Sequence, residues 1–116
     1  MKPLSARILV LALAALCFGC QPGKSDLYSQ LQDESPSARV AAIVTAADQR
    51  DDKAIPHLVD RLTDSDKAVR FYAIMSLERI TDQTMDYRHY DPPEERRKAV
   101  KRWRQWLTDR NKTAPP

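Results

Sequence analysis

Few residues in this chain carry side chains suited to covalent or metal chemistry. Cys17 and Cys20 lie three residues apart, and His57 and His89 stand alone. A catalytic histidine needs a group that orients it, and a zinc site needs several sulfur or nitrogen ligands at close spacing. The chain has no His-Glu-x-x-His, no Gly-x-Ser-x-Gly and no Cys-x-x-Cys-His run. The loop 82–91 (DQTMDYRHYD) gathers three acids and a histidine but lacks the glycine and closing glutamate of a calcium loop. Its Tyr87 and Tyr90 are expected to pin the loop against its neighbours or to form part of a contact surface. No catalytic, cofactor-binding or metal-ligating residue is assigned. The expectation is a non-enzymatic protein without a cofactor or small-molecule substrate.

Two arginines are more informative. Arg39 and Arg70 each interrupt an apolar helical stretch, and each follows an aspartate, Asp33 or Asp64, by six residues. The coincidence extends further. A shift of 31 superposes 27–49 on 58–80 with six identities: Leu27/Leu58, Leu31/Leu62, Asp33/Asp64, Arg39/Arg70, Ala42/Ala73 and Ile43/Ile74. These fall on apolar helical positions, on the turn aspartate and on the arginine, so the body reads as one unit repeated.

Each unit reads as helix, tight turn, helix. Asp26 starts a short helix to about Gln32. Asp33-Glu34-Ser35 turns, and Pro36 opens a helix to about Gln49, since proline's missing amide hydrogen has no helical partner at that position. In the second unit Asp51-Asp52 caps a helix to about Leu62 with Pro56 near its first turn, burying Ile55, Leu58, Val59 and Leu62 on one face. The turn Thr63-Asp64-Ser65-Asp66 leads into a helix over Lys67–Ile80. That last helix is apolar almost all round: Val69, Ala73, Leu77 and Ile80 form one arc, and Phe71, Tyr72, Ile74 and Met75 continue it. Such a helix is expected to be covered on more than one side. The alanines at 38, 41, 42, 46 and 47 let the preceding helix approach its neighbours closely.

A further helix starts near Asp91-Pro92-Pro93-Glu94-Glu95, with Asp91 as the expected N-cap. Ala99, Val100, Trp103, Trp106 and Leu107 fall within an arc of about 120°. Lys98, Lys101, Arg102 and Arg104 occupy the opposite side. Residues 94–112 hold 8 basic and 3 acidic groups, net +5, whereas 20–93 hold 9 and 13, net −4. Val100, Trp103, Trp106 and Leu107 suit a cap closing the stack. The basic side is solvated, pairs with acids upstream, or is a surface for anionic lipid or an acidic partner.

The N-terminus reads as an address. Lys2 and Arg7 precede Ile8–Phe18, an unbroken apolar run of eleven residues, then Gly19-Cys20. A membrane-spanning helix takes about 20 apolar residues, so the run has the dimensions of a signal-peptide core. It resembles the signal of bacterial lipoproteins, although Cys17 stands where that family prefers an aliphatic residue. The resemblance implies removal of 1–19 as a signal peptide, lipid on Cys20, and an exported protein anchored to the cell envelope, at the outer membrane or the outer face of the cytoplasmic membrane. Gln21 is compatible with the former. Secretion after a cut nearby and an uncleaved anchor are the other readings. Without Lys2 and Arg7 the balance is 17 bases to 16 acids, net +1, so a nucleic-acid partner is not expected.

The whole chain has 116 residues, enough for one small domain, with 42% apolar residues, 2 Gly and 8 Pro. So few glycines disfavour a turn-rich β-sandwich or barrel. The 31-residue hairpin, its turn aspartate and its arginine resemble the short HEAT repeat of the phycobilisome-lyase-like type. The basic Trp-x-x-Trp helix is similar to the C-terminal end of such bacterial proteins. The resemblance implies an all-α fold: a short α-solenoid of two HEAT-like hairpins plus a C-terminal capping helix. It also implies a structural ladder of Asp33, Arg39, Asp64 and Arg70 between successive repeats. The expected layout is a signal peptide at 1–19, a lipidated linker at 20–25, the repeat domain at 26–110 and a disordered tail at 111–116. The expected role is interaction with, or assembly of, a protein partner not identified by the sequence. A lyase-like enzyme or subunit, and a membrane-surface adaptor using the basic helix, are the alternatives.

Overall fold

The computed structural model describes residues 24–116. The signal peptide expected over 1–19 and the lipidation expected at Cys20 lie outside the described residues, as does most of the 20–25 linker. Five α-helices follow in order: α1 (Lys24–Gln30), α2 (Pro36–Asp48), α3 (Ile55–Arg61), α4 (Lys67–Thr81) and α5 (Pro93–Thr113). The fold is all-α, and no strand occurs among the described residues.

Local chemistry accounts for the boundaries. Pro36 occupies the first turn of α2. Asp66 caps α4 by accepting a hydrogen bond from the Val69 amide at 3.0 Å. Three boundaries differ from the sequence reading. The helix expected from Asp51-Asp52 is split into a 3₁₀ turn, Asp52–Ala54, and α3; Asp51 caps the turn through the Lys53 amide. Asp91 does not cap α5. Pro92 takes that position, and the Asp91 carbonyl accepts a hydrogen bond from Arg96 Nη1. Finally, α5 continues to Thr113, three residues into the segment expected to be a tail.

The helices form two hairpins, α1–α2 and α3–α4, stacked side by side. Their largest contact is α2 against α4. Ala42, Ala46 and Ala47 are buried there, and their small side chains admit the close approach. Ser76 Oγ of α4 donates to the Ile43 carbonyl of α2 at 3.4 Å. Leu27, Leu31, Ile43, Ile55, Leu58, Leu62, Val69 and Leu77 make one continuous core through both hairpins. Burying each such side chain is worth about 1.5–3 kcal/mol.

α5 closes the far side of the second hairpin. Its first turns lie beside Leu62 and Thr63 at the end of α3, and its last turns beside Ile55 and Pro56 at the start. It therefore runs antiparallel to α3. Ala99, Val100 and Trp103 are buried, whereas Trp106 and Leu107 are half-buried. The two indoles meet edge to face at 5.5 Å, and Arg110 lies over Trp106.

The connection 82–92 is a strap across the end of the stack. Met85 and Asp86 both adopt left-handed backbone angles (φ 52° and 56°), an uncommon pair for non-glycine residues. Besides Arg96, which holds the Asp91 carbonyl, three side chains hold the strap. Trp103 Nε1 donates to the Thr84 carbonyl, Arg102 Nε donates to the Met85 carbonyl, and the buried Tyr87 hydroxyl donates to the Leu62 carbonyl at 2.7 Å.

Candidate functional site

The stacking leaves two features with chemistry to examine: the arginine–aspartate rungs and the exposed side of α2 and α4. The rungs begin from an electrostatic difficulty. Arg39 and Arg70 each sit in the first turn of a helix, at its positive end, and are only 9% and 8% exposed. A buried cation there needs acceptors.

Arg39 finds them on both sides. Its Nη1 donates to the Asp33 and Glu34 carbonyls at 2.6 and 3.1 Å, satisfying its own turn. Its Nη2 donates to Asp64 Oδ1 at 2.9 Å, and its Nε lies 2.8 Å from Asp64 Oδ2 without being aimed at it. Asp64 belongs to the next hairpin, so this ion pair crosses the repeat boundary. Its carboxylate also accepts the Asp66 amide and meets Arg61 Nη1. Asp33, the equivalent aspartate of the first hairpin, is exposed, and among the described residues its carboxylate accepts only the Ser35 amide.

Arg70 repeats half of this arrangement. Its Nη1 donates to the Asp64 and Ser65 carbonyls at 2.8 and 3.1 Å, matching Arg39 and its own turn. The carboxylate half is missing. A direct Asp64–Arg70 carboxylate pair is not made, because the Asp64 carboxylate is turned back toward Arg39. Arg70 Nε is buried without a hydrogen-bond partner, and Arg70 makes no ion pair among the described residues. Tyr87 is close by. Burial pushes its hydroxyl pKa up, and the charges of Arg96 and Arg70 oppose that rise.

The second feature limits an expectation. α4 is covered on two sides, by α2 and by α3, and Ile74 is buried, but the rest of its second arc is open: Phe71, Tyr72 and Met75 are exposed, Met75 by 51%, as is Val44 of α2. Val44, Ala47, Tyr72, Met75 and Ser76 line an open-sided groove of about 490 Å³, with Glu78 and Arg79 at its edge. The groove continues into a chain of aromatic contacts. Tyr72 meets Phe71 at 5.3 Å, Phe71 meets His89 at 4.9 Å, and His89 meets Tyr90 at 5.2 Å. Tyr90 is 65% exposed. Apolar and aromatic groups held on rigid helices, with charges at the rim, are the composition of protein-binding surfaces.

Sequence reasoning missed this surface because hydrophobicity alone does not distinguish a core flank from a contact flank. A signal was present: the 31-residue pattern does not continue, since His89–Glu95 (HYDPPEE) carries none of the leucines of 58–64. Accordingly no further inner helix lies beside α4 among the described residues. His57, read as a surface or half-buried residue, is half-buried and stacks on Tyr28 at 4.9 Å. The Tyr28 hydroxyl donates to Asp51, and its pKa is raised by burial and by that carboxylate. No cluster of potential metal ligands occurs among the described residues, and no helix there is long and apolar enough to cross a membrane.

Comparison with known proteins adds one match. A family model described as HEAT repeats covers residues 25–101. No curated protein and no solved structure matches the chain.

Proposed function

The chain belongs to the HEAT-repeat family, and from that premise we propose that it is a non-enzymatic protein-interaction module whose contact surface is the open side of α2 and α4. HEAT repeats serve as protein-interaction and scaffold units, and the observation that carries the assignment to this surface is the exposure of Val44, Tyr72 and Met75 along one groove, with exposed Phe71 against Tyr72 beside it. A lyase-like activity would call for an enclosed apolar cleft lined by reactive groups. The open-sided groove suits a partner's side chains better. The 31-residue spacing and the Arg39–Asp64 rung support placing the chain among the short, phycobilisome-lyase-like repeats.

The site of action in this proposal is the bacterial cell envelope, with lipid on Cys20 as the anchor. Support comes from the basic start, the eleven-residue apolar run and Gly19-Cys20. Two experiments test the two parts separately. Labelled fatty acid should enter the chain at Cys20 and be lost in Cys20→Ser, while Cys17→Ser still labels; label persisting in Cys20→Ser removes the anchor. Capture of a partner from membranes should fall in Met75→Asp and Tyr72→Ala but not in Thr45→Asp, which lies on exposed surface outside the groove. Equal capture by all three moves the contact surface elsewhere.

A further inference from the structure

The role of the α2–α4 side leaves the most highly charged part of the molecule unused. Of the basic residues on α5, several have internal partners: Arg97 pairs with Glu94, Lys98 with Glu95, Arg110 with Asp52, and Arg96 and Arg102 donate to strap carbonyls. Lys101, Arg104 and Lys112 are exposed and make no ion pair among the described residues. They form a stripe within an arc of about 80° around the helix axis, about 16 Å long, on the side opposite Trp103.

We propose that this stripe is an electrostatic docking surface for an anionic lipid bilayer, holding the C-terminal end of the stack against the membrane. Two observations favour a bilayer over an acidic protein. The stripe is interspersed with Thr108 and Gln105 and contains no exposed apolar side chain, whereas protein interfaces draw their affinity from buried aromatic and apolar anchors. Those anchors are instead on the α2–α4 side. The stripe is also the convex flank of a helix, a shape suited to a flat, fluid charged surface. Finally, the docking rests on the envelope reading above, which brings an anionic surface within reach. The first described helix begins only four residues after Cys20, so the domain stays close to its anchor.

The mechanism is long-range attraction without insertion. Trp103 is fully buried and Trp106 half-buried, so neither indole is free to enter the bilayer in this conformation. Each lysine or arginine near an anionic surface contributes about fivefold in binding, and salt screens the attraction.

The test uses the full chain and the same chain with Cys20→Ser, so that failure of the anchor and failure of the stripe give different results. Each is mixed with vesicles of phosphatidylcholine, with or without added phosphatidylglycerol, and its lysines are acetylated. Lys67, exposed at the start of α4, is the internal reference, and Lys53, which lies beside the last turn of α5, is followed as well. The expected result is that phosphatidylglycerol slows Lys101 and Lys112 about fivefold or more relative to the reference in both chains, and that high salt restores their reactivity. Lys101→Gln/Arg104→Gln should reduce the protection of Lys112. Equal protection of all four lysines, or equal protection on both vesicle types, overturns the proposal. Absence of fatty-acid label from the chain that retains Cys20, with stripe protection intact, overturns only the anchor. An acidic protein that shields the stripe where vesicles do not also overturns the proposal.

Discussion

Arg39 and Arg70 occupy equivalent places in two copies of one hairpin, and only one of them is neutralised. Arg39 has a neighbour in the direction the stack grows, and that neighbour supplies Asp64. Arg70 faces the strap and α5, which supply Tyr87 and another arginine, Arg96, but no carboxylate. The same residue thus has two energetic meanings. At the inner boundary it links hairpins, and at the outer boundary it serves its own turn. A repeat motif specifies a rung only where a following repeat supplies the other half.

The comparison is most easily broken at Asp64. Asp64→Ala should cost about 3–5 kcal/mol, since it leaves Arg39 buried and unpaired, and urea unfolding should show it. A loss below about 1 kcal/mol would make the rung no stronger than a surface pair. The outer boundary depends on packing instead. Trp103→Ala should also cost about 3–5 kcal/mol, with half-buried Trp106 costing less. Equal losses would mean that both indoles are equally engaged, contrary to their burial.

Arg70 sharpens the contrast. Arg70→Ala gives up hydrogen bonds to the Asp64 and Ser65 carbonyls but no ion pair, so a loss of about 1–2 kcal/mol is expected. Exposed Arg104→Ala should stay within about 0.5 kcal/mol. Arg70→Ala matching Asp64→Ala in urea midpoint would show that an acceptor fills the second rung after all. The smallest effect concerns pH. The raised Tyr87 pKa means that the fold favours the neutral hydroxyl. Its contribution is complete below the ordinary tyrosine value of about 10 and is lost as pH rises through the higher folded value. Thermal midpoints should fall above about pH 10, and less steeply in Tyr87→Phe, where Tyr28 and Lys98 still have raised values. Identical slopes would remove Tyr87 from the alkaline transition.

The features repeated in the sequence were the ones legible from it. Two aligned hairpins, the Leu27/Leu58 and Ile43/Ile74 core positions and the buried Trp103 all follow from periodicity, because local spacing determines which face a residue occupies. What periodicity does not encode is what stands opposite that face. Phe71, Tyr72 and Met75 have the hydrophobicity of core residues, but no helix among the described residues covers the side of α2 and α4 on which they are exposed. The Asp64 carboxylate could have turned toward Arg70 or Arg39, and only the packed stack decides between them. Asp91 had the chemistry of a cap, but Arg96 claims its carbonyl and α5 begins after Pro92. The split at Asp52–Ala54 was likewise hidden, since a 3₁₀ turn and the start of an α-helix use the same residue types.

The placement of Trp103 and Trp106 also determines how folding of this molecule can be watched. They are the chain's 2 tryptophans, and both lie on α5. Indole emission therefore reports closure of the stack by its last helix, while circular dichroism reports all the helices together. Contacts between the hairpins span about one repeat, but the pairing of Arg110 with Asp52 closes a loop of 58 residues. Closing the longer loop costs about 0.5 kcal/mol more than closing one of a repeat's length, which favours docking of the last turns of α5 after the hairpins have met. In a stopped-flow experiment the ellipticity should recover before the fluorescence, and the lag between the two signals is the lifetime of a stack whose end is still open.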